Sequence, residues 1–273
     1  MQSEPRKIIV TGANKGIGYS IVEGLMTQET PYKIILTSRN QKKGEEAAKT
    51  LQEKYKQSPS TIIPQQLDII DAVSVQHFVD GIKHDFGTID VLVNNAGILV
   101  RKQTKEDKLA IINTNFLSTI QLTKKLLPYL AKDGKIIMVS SKLGVLADQG
   151  NKGRETLEDP NISEEKLVDI AGKLYEDYEQ EKHDEIGFSE DAYATSKALL
   201  NAYTRWVLTK TLTEDQQCFT CTPGHCRTDM GGENAPRSAE EGADTIIYLV
   251  GLPYQLDKGL NGKFFADRAI IDF

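Results

Sequence analysis

Short runs of branched apolar residues alternate along this chain with longer stretches whose apolar residues recur every three to four positions. The runs are "KIIVTG" (7 to 12), "YKIILTS" (32 to 38), "TIIPQQLD" (61 to 68), "IDVLVNNAG" (89 to 97), "GKIIMVSS" (134 to 141), "QCFTCTPG" (217 to 224) and "KFFA" (263 to 266). Their length and branching predict strands. Between them, "GIGYSIVEGLMTQ" and "FLSTIQLTKKLLPYLAK" carry helical spacing. Strand and helix in repeated alternation predict an α/β fold: a doubly wound parallel sheet of about seven strands with helices on both faces.

One interval, residues 142 to 192, breaks that rhythm. Within it Ser163 stands before "EEKLVDIAGKLYEDY" as an N-cap followed by acids would. Leu167, Ile170, Ala171, Leu174 and Tyr178 then form one apolar stripe, with acids largely opposite. That regularity predicts an added helix packed on the body rather than a disordered charged insert. No internal repeat, low-complexity tract or linker divides the chain, so residues 1–273 are expected to form a single domain, with an insertion at about 148–190.

Composition narrows the partners. A formal charge of -6 and a pI near 5.4 give no electrostatic footprint for nucleic acid or an anionic membrane. No apolar stretch approaches the roughly 20 residues that span a bilayer, and the amino end "MQSEPRK" has no signal-peptide core. Cys218, Cys221 and Cys226 are an odd number in a large chain, which suggests a reducing compartment, and a cytoplasmic location is expected. Much of the acidity is local: residues 148 to 192 hold 15 Asp and Glu against 5 Lys and Arg. A small soluble substrate fits this balance better than a polyanion.

Candidate chemistry begins at "TGANKGIG", which follows the first strand and opens the first helix, placing Gly12, Gly16 and Gly18 in the turn. A pyrophosphate is held by bare backbone N–H groups at the positive end of a helix, where side chains would obstruct it. Glycine-rich turns also join strands to helices for packing alone, so the second strand matters. An NAD site usually puts an acid at its end, on the ribose hydroxyls; here the sequence is "TSRN". Arg39, with Lys15 in the glycine turn, would place two cations around a ribose 2′-phosphate, which favours NADP(H) over NAD(H).

Tyr193 and Lys197 in "YATSK" are four apart and share a helix face. A phenol of pKa about 10 is a poor acid near neutrality, and a nearby ammonium is expected to lower it. Ser141, at the end of a strand candidate, could hydrogen-bond a carbonyl oxygen while Tyr193 donates the proton. A lone Tyr-x-x-x-Lys pair is common helix decoration. Its rank rises when "TGANKGIG", "NNAG", "VSS" and "YATSK" occur together in this order.

With these motifs the sequence resembles the short-chain dehydrogenase/reductases over almost its whole length, which implies a Rossmann-like fold. The resemblance implies that the cofactor turn comprises Gly12, Asn14, Lys15, Gly16, Ile17 and Gly18. It implies that Asp68 and Ile69 of "LDI" lie at the adenine, and that Asn95, Ala96 and Gly97 of "NNAG" lie beside its ribose. It makes Asn115 of "NTNF" the asparagine of a catalytic tetrad completed by Ser141, Tyr193 and Lys197, the last two also contacting cofactor. Ser140 is then structural, since successive strand residues face opposite ways. Ser118 stands where the family pattern has glycine. Pro223, Gly224, Cys226 and Thr228 of "CTPGHCRTDM" inherit the segment that holds the nicotinamide carboxamide, with residues 229 to 236 expected as a mobile loop over it. His225 stands where an aromatic residue often lines the substrate pocket.

The wording is most similar to that of NADPH-dependent carbonyl reductases, which implies reduction of an aldehyde, ketone or quinone. The alternative is a catalytically silent nucleotide-binding or structural subunit of the same fold. No metal is expected: Cys218 and Cys221 are three apart in a strand and face opposite sides. A long insertion before the tyrosine implies a monomer, because it would cover the helices through which many of these enzymes dimerise.

Overall fold

The computed structural model describes residues 4–180, 187–253 and 258–273. In chain order its elements are β1 (Arg6–Val10), α1 (Gly16–Met26), β2 (Tyr32–Ser38), α2 (Gln41–Lys54), β3 (Thr61–Gln66), α3 (Ala72–Gly81), β4 (Ile89–Asn94), α4 (Lys105–Ile112), α5 (Thr119–Leu126) and β5 (Leu130–Val139). There follow α6 (Asn151–Glu158), α7 (Glu164–Gln180), α8 (Ala192–Ala202), α9 (Thr209–Thr211), β6 (Gln217–Cys221), α10 (Ala239–Gly251), β7 (Phe264–Ala266) and β8 (Ala269–Ile271). Wide π-type turns join α4 to α5 (Asn113–Ser118) and α8 to α9 (Tyr203–Leu208).

The strands form one sheet in the order β3-β2-β1-β4-β5-β6-β7-β8, parallel from β3 to β7. Its interior strands are buried on both faces, as a parallel sheet between helices must be. Ile9, Ile35, Leu92, Ile136, Met138 and Cys218 enter the layer shared with α3, α4, α5 and α8. Ile8, Val10, Ile34, Leu36, Val91, Val93, Ile137, Phe219 and Cys221 enter the layer shared with α1, α2 and α10. Cys218 and Cys221 therefore lie in different layers, as their spacing predicts.

The sheet has eight strands rather than about seven. The added strand, β8, pairs antiparallel with β7 through a turn at Asp267 and Arg268, which both adopt positive φ (49° and 62°). Tight hairpins normally announce themselves by Asn-Gly or Asp-Gly, and neither occurs here. Arg268 is held instead by α10, its Nε donating to Asp244 Oδ2 at 2.7 Å and its N–H to Thr245 Oγ1 at 3.1 Å. Likewise β5 begins at Leu130, before the apolar run, across a register shift against β4.

The interval before Tyr193 folds as α6 and α7. Leu167, Ile170, Ala171, Leu174 and Tyr178 are all buried, and Ser163 Oγ accepts the Lys166 N–H at 3.2 Å. Polar anchors fix the helices to the body: Tyr175 OH donates to Leu109 O and Trp206 Nε1 to Leu157 O, both at 2.9 Å, and Lys124 pairs with Glu164 at 2.5 Å. The faces so covered belong to α4, α5 and the turn after α8. Residues 181–186 of the charged exit from the insertion, and residues 1–3 of the polar amino end, lie outside the described residues.

Candidate active site

The glycine turn is built by two segments stitched together. Thr11 Oγ1 accepts the N–H groups of Asn95 and Ala96, both at 2.9 Å, and Asn95 Nδ2 donates to Thr11 O at 2.8 Å and Gly12 O at 3.3 Å. Asn95 thus shapes the turn from the "NNAG" side. Gly12 and Gly16 sit at φ 63° and 58°, where a side chain is strained. A Cβ on Gly18 would stand 2.5 Å from Asn95 Nδ2 and 2.6 Å from Gly12 O.

Helix α1 begins at this turn with Lys15 as N-cap, and among the described residues no side chain caps it. The neighbouring α2, α3, α8 and α10 are each capped, by Asn40, Asp71, Asp191 and Ser238. Bare first-turn N–H groups beside a cradle with no room for side chains fit a dinucleotide pyrophosphate. Asn14 and Ile17 are half-buried beside the turn, and Arg39 is exposed just past β2. Asp68 is fixed by its N–H on Ser74 Oγ (2.9 Å) and by its carboxylate, which accepts the Ile70 N–H (3.2 Å), with half-buried Ile69 between.

At the carboxyl ends of β4 and β5 the other predicted residues meet. Asp191 caps α8, its Oδ1 accepting the Tyr193 N–H at 2.8 Å, and this starts the helix that carries Tyr193 and Lys197 on one face. Gln103 locks that cap, donating to Asp191 Oδ1 at 2.7 Å and accepting the Ala192 N–H at 3.0 Å. Lys197 Nζ lies 5.7 Å from the centre of the Tyr193 ring and donates to Val139 O at 2.8 Å. Ser141, just past β5, stands close enough to the Tyr193 phenol to lower its pKa and accepts the Leu143 N–H at 3.1 Å. Ser140 turns the other way, onto Lys197 O at 3.4 Å. Gly144 lets this turn approach α8, since a Cβ there would stand 2.7 Å from the carbonyl carbon of Lys197.

Asn115 lies in the π-type turn after α4, where one extra residue per turn re-aims side chains inward. Its amide brackets Ile98, accepting the N–H at 2.8 Å and donating to the carbonyl at 2.9 Å, and also reaches Ser196 Oγ at 3.2 Å. A Cβ on Gly97 would meet Asn115 Oδ1 at 3.1 Å and Lys197 Nζ at 3.7 Å, so the three residues adjoin. Asn113 bonds Ser118 instead, at 3.4 Å.

One electrostatic expectation is corrected. Burial pushes the Tyr193 phenol up to about 12, opposed by Ser141 rather than by Lys197. Lys197 Nζ is directed at Val139 O, and burial draws Lys197 itself down to about 8. Tyr193 is therefore held protonated, but as a weaker acid than a free phenol.

The segment after β6 closes over the turn. Gly224 has φ 75°, and Pro223 O and Gly224 O accept from Cys226 Sγ at 3.2 and 3.7 Å. The Cys226 side chain packs toward α10, where a Cβ on Gly242 would meet its sulfur at 2.4 Å and Ile17 at 2.7 Å. Thr228 lies against Gly16, its Cγ2 at 3.4 Å from where a Cβ would stand. His225 is exposed and bonds Gly231 O at 2.8 Å. Lys15 pairs with Asp229 at 2.5 Å. Thr11, Gln103, Asp191 and Asp229 were not anticipated; only Asp191 carried a local signal, as a capping residue directly before a helix.

A Rossmann-like sheet with an uncapped helix at a glycine cradle, and beside it at the strand ends a half-buried Ser141 with buried Tyr193, Lys197 and Asn115, defines a dinucleotide-dependent oxidoreductase. A sequence model of the short chain dehydrogenase family matches residues 6–152, and the chain belongs to that family. Carbonyl reductase (NADPH) 1 of Sus scrofa is 34% identical, over 100% of this chain and 96% of its own. The (+)-neomenthol dehydrogenase of Arabidopsis thaliana is 31% identical, over 100% of this chain and 99% of its own. Among solved structures, salutaridine reductase from Papaver somniferum superposes with a TM-score of 0.84 at 29% identity, covering 96% of this chain and 99% of that one.

Proposed function

We propose that this protein reduces the carbonyl group of a small aldehyde, ketone or quinone to an alcohol with NADPH. The observation that carries the reading is the convergence of Ser141, Tyr193, Lys197 and Asn115 beside the glycine cradle. The names of relatives matching the full length, carbonyl reductases among them, support it, and none supports a silent binding subunit. Bound NADPH supplies the hydride. Tyr193 gives its phenolic proton to the carbonyl oxygen, and Ser141 holds and polarises that oxygen. Lys197 contacts the nicotinamide ribose and holds positive charge beside Tyr193. Asn115 fixes the loop at Ile98 and supports proton supply toward Lys197. Lys15 and Arg39 hold the 2′-phosphate; Gly12, Gly16 and Gly18 leave room for the pyrophosphate. Asp68, Ile69, Asn95, Ala96 and Gly97 flank the adenosine, and Pro223, Gly224, Cys226 and Thr228 the carboxamide.

The chain works as one domain, and as a monomer, because α6 and α7 cover the flanks of α4, α5 and the α8 segment. Its three thiols are unpaired, which suits a cytoplasmic setting. NADPH consumption with a panel of aldehydes, ketones and quinones tests the activity. Turnover should fall about 10²- to 10⁴-fold in Tyr193→Phe, the usual weight of a positioned acid. Equal rates in the two proteins overturn the assignment.

A further inference from the structure

Residues 225–237 are cross-linked internally, and their ends are anchored by Cys226 against α10 and by Arg237, whose Nη2 pairs with Asp267 at 2.6 Å. Arg227 Nη1 donates to the carbonyls of Ala235 and Pro236, both at 2.9 Å, and Arg227 N–H to Arg237 O at 2.8 Å. Gly231 N–H bonds Thr228 Oγ1 at 3.1 Å and Gly232 N–H bonds Thr228 O at 2.8 Å. On the substrate side the loop is tied by Arg101 Nη2, which donates to Gly231 O at 2.8 Å. On the cofactor side it is tied by the Asp229 carboxylate, which accepts from Lys15 Nζ at 2.5 Å.

Lys15 chiefly, and Lys43 in the first turn of α2 at longer range, hold the Asp229 carboxyl below the usual carboxylate range. The carboxylate thus feels cations of two elements, the glycine turn and the start of α2, whose N-cap Asn40 follows Arg39. That is the end of the cleft assigned above to the 2′-phosphate.

We propose that Asp229 is a cofactor-selectivity residue: its carboxylate competes with the 2′-phosphate of NADP(H) for Lys15, and the exchange links that phosphate to the position of the 225–237 loop. This rests on the assignment of Lys15 to the phosphate. Two anions drawn to one ammonium repel each other, so binding of the phosphate weakens the bridge. NAD(H) carries no phosphate there and leaves the bridge intact. The side chains of Lys15 and Asp229 are 67% and 79% exposed, so water screens the pair and the competition is modest and reversible.

The full chain should be titrated by calorimetry with NADP⁺ and NAD⁺, and with 2′,5′-ADP and 5′-AMP, which report the phosphate without a nicotinamide under the loop. Asp229→Asn should tighten NADP⁺ and 2′,5′-ADP by about two- to fivefold, the range an exposed ion pair supplies, and leave NAD⁺ and 5′-AMP unchanged. Lys15→Met should weaken NADP⁺ and cancel the effect of Asp229→Asn in the double variant. In the wild type, amide hydrogen exchange over residues 225–237 should quicken with saturating 2′,5′-ADP but not with 5′-AMP. If Lys15→Met spares the preference for NADP⁺, the phosphate assignment falls and the proposal with it. If Lys15→Met abolishes that preference while Asp229→Asn changes nothing, or loosens NADP⁺, the competition alone is refuted. Exchange that responds equally to both nucleotides refutes the link to the loop.

Discussion

Gly18→Ala probes the cradle directly, because the space for the new methyl is already taken. Its Cβ would stand 2.5 Å from Asn95 Nδ2, 2.6 Å from Gly12 O and 2.9 Å from Ala13 Cα. The first neighbour is a side-chain end that can swing, but doing so breaks its 2.8 Å bond to Thr11 O. The other two are backbone and cannot swing. Overpacking of this kind costs about 1–3 kcal/mol, and the lost hydrogen bond adds about 1 kcal/mol. A total of about 2–4 kcal/mol corresponds to a fall in Tm of roughly 4–16 °C for a chain of this size. Because the strain falls on the residues that shape the turn, NADP(H) affinity should fall with stability. Gly172→Ala is the matched control: that glycine lies on the exposed face of α7, with nothing within 4 Å of an added Cβ. It should gain about 0.5–1 kcal/mol from helix propensity. Thermal unfolding by circular dichroism and NADPH titration by fluorescence read both variants. A Gly18→Ala protein with the wild-type Tm and affinity would show that the turn is not the tight cradle described.

Two further outcomes follow from buried lysines. With Lys197 drawn down to about 8 and Tyr193 raised to about 12, the lysine loses its charge first as pH rises. Then kcat/KM for NADPH, which reports the free enzyme, should be level below pH 8 and fall about tenfold per unit above it. Lys197→Arg should move that limb upward, and a flat profile from pH 6 to 10 would contradict the role of Lys197. In the layer behind the sheet, Lys135 of β5 donates to Leu249 O at 3.3 Å, Val250 O at 3.2 Å and Leu252 O, satisfying the carboxyl end of α10. Lys135→Met removes the donor from those carbonyls, and should lower stability by about 1–3 kcal/mol in denaturant titrations. A loss under about 0.5 kcal/mol, the size of an ordinary surface change, would show that the cap is dispensable.

What the sequence disclosed depended on whether a signal was local. Strands buried on both faces stand out as apolar runs, and the stripe from Leu167 to Tyr178 placed α7 because both its faces were written in one segment. Helix α6 buries only Gly153 and Leu157 among its eight residues, so "NKGRETLE" gave no stripe to read. β8 is three residues long and hangs from a turn whose chemistry is supplied by Asp244, far away in the chain. The same division holds at the site. Tyr193, Lys197 and the glycines declare themselves by spacing, whereas Thr11 with Asn95, Gln103 with Asp191 and Lys15 with Asp229 meet only through the fold. The expected lowering of the Tyr193 pKa is not met because burial outweighs it: spacing shows that a lysine is near, not how deeply the phenol is buried.

The central claim is that hydride passes from the nicotinamide to a carbonyl carbon while Tyr193 supplies the proton. NADPH deuterated at the transferring position of C4, used with the best aldehyde or ketone of the panel, tests it by mass spectrometry of the alcohol. The account predicts one deuterium on the carbinol carbon for each NADPH consumed by the wild type, and almost no product from Tyr193→Phe. Alcohol without deuterium, or full turnover by Tyr193→Phe, would contradict it.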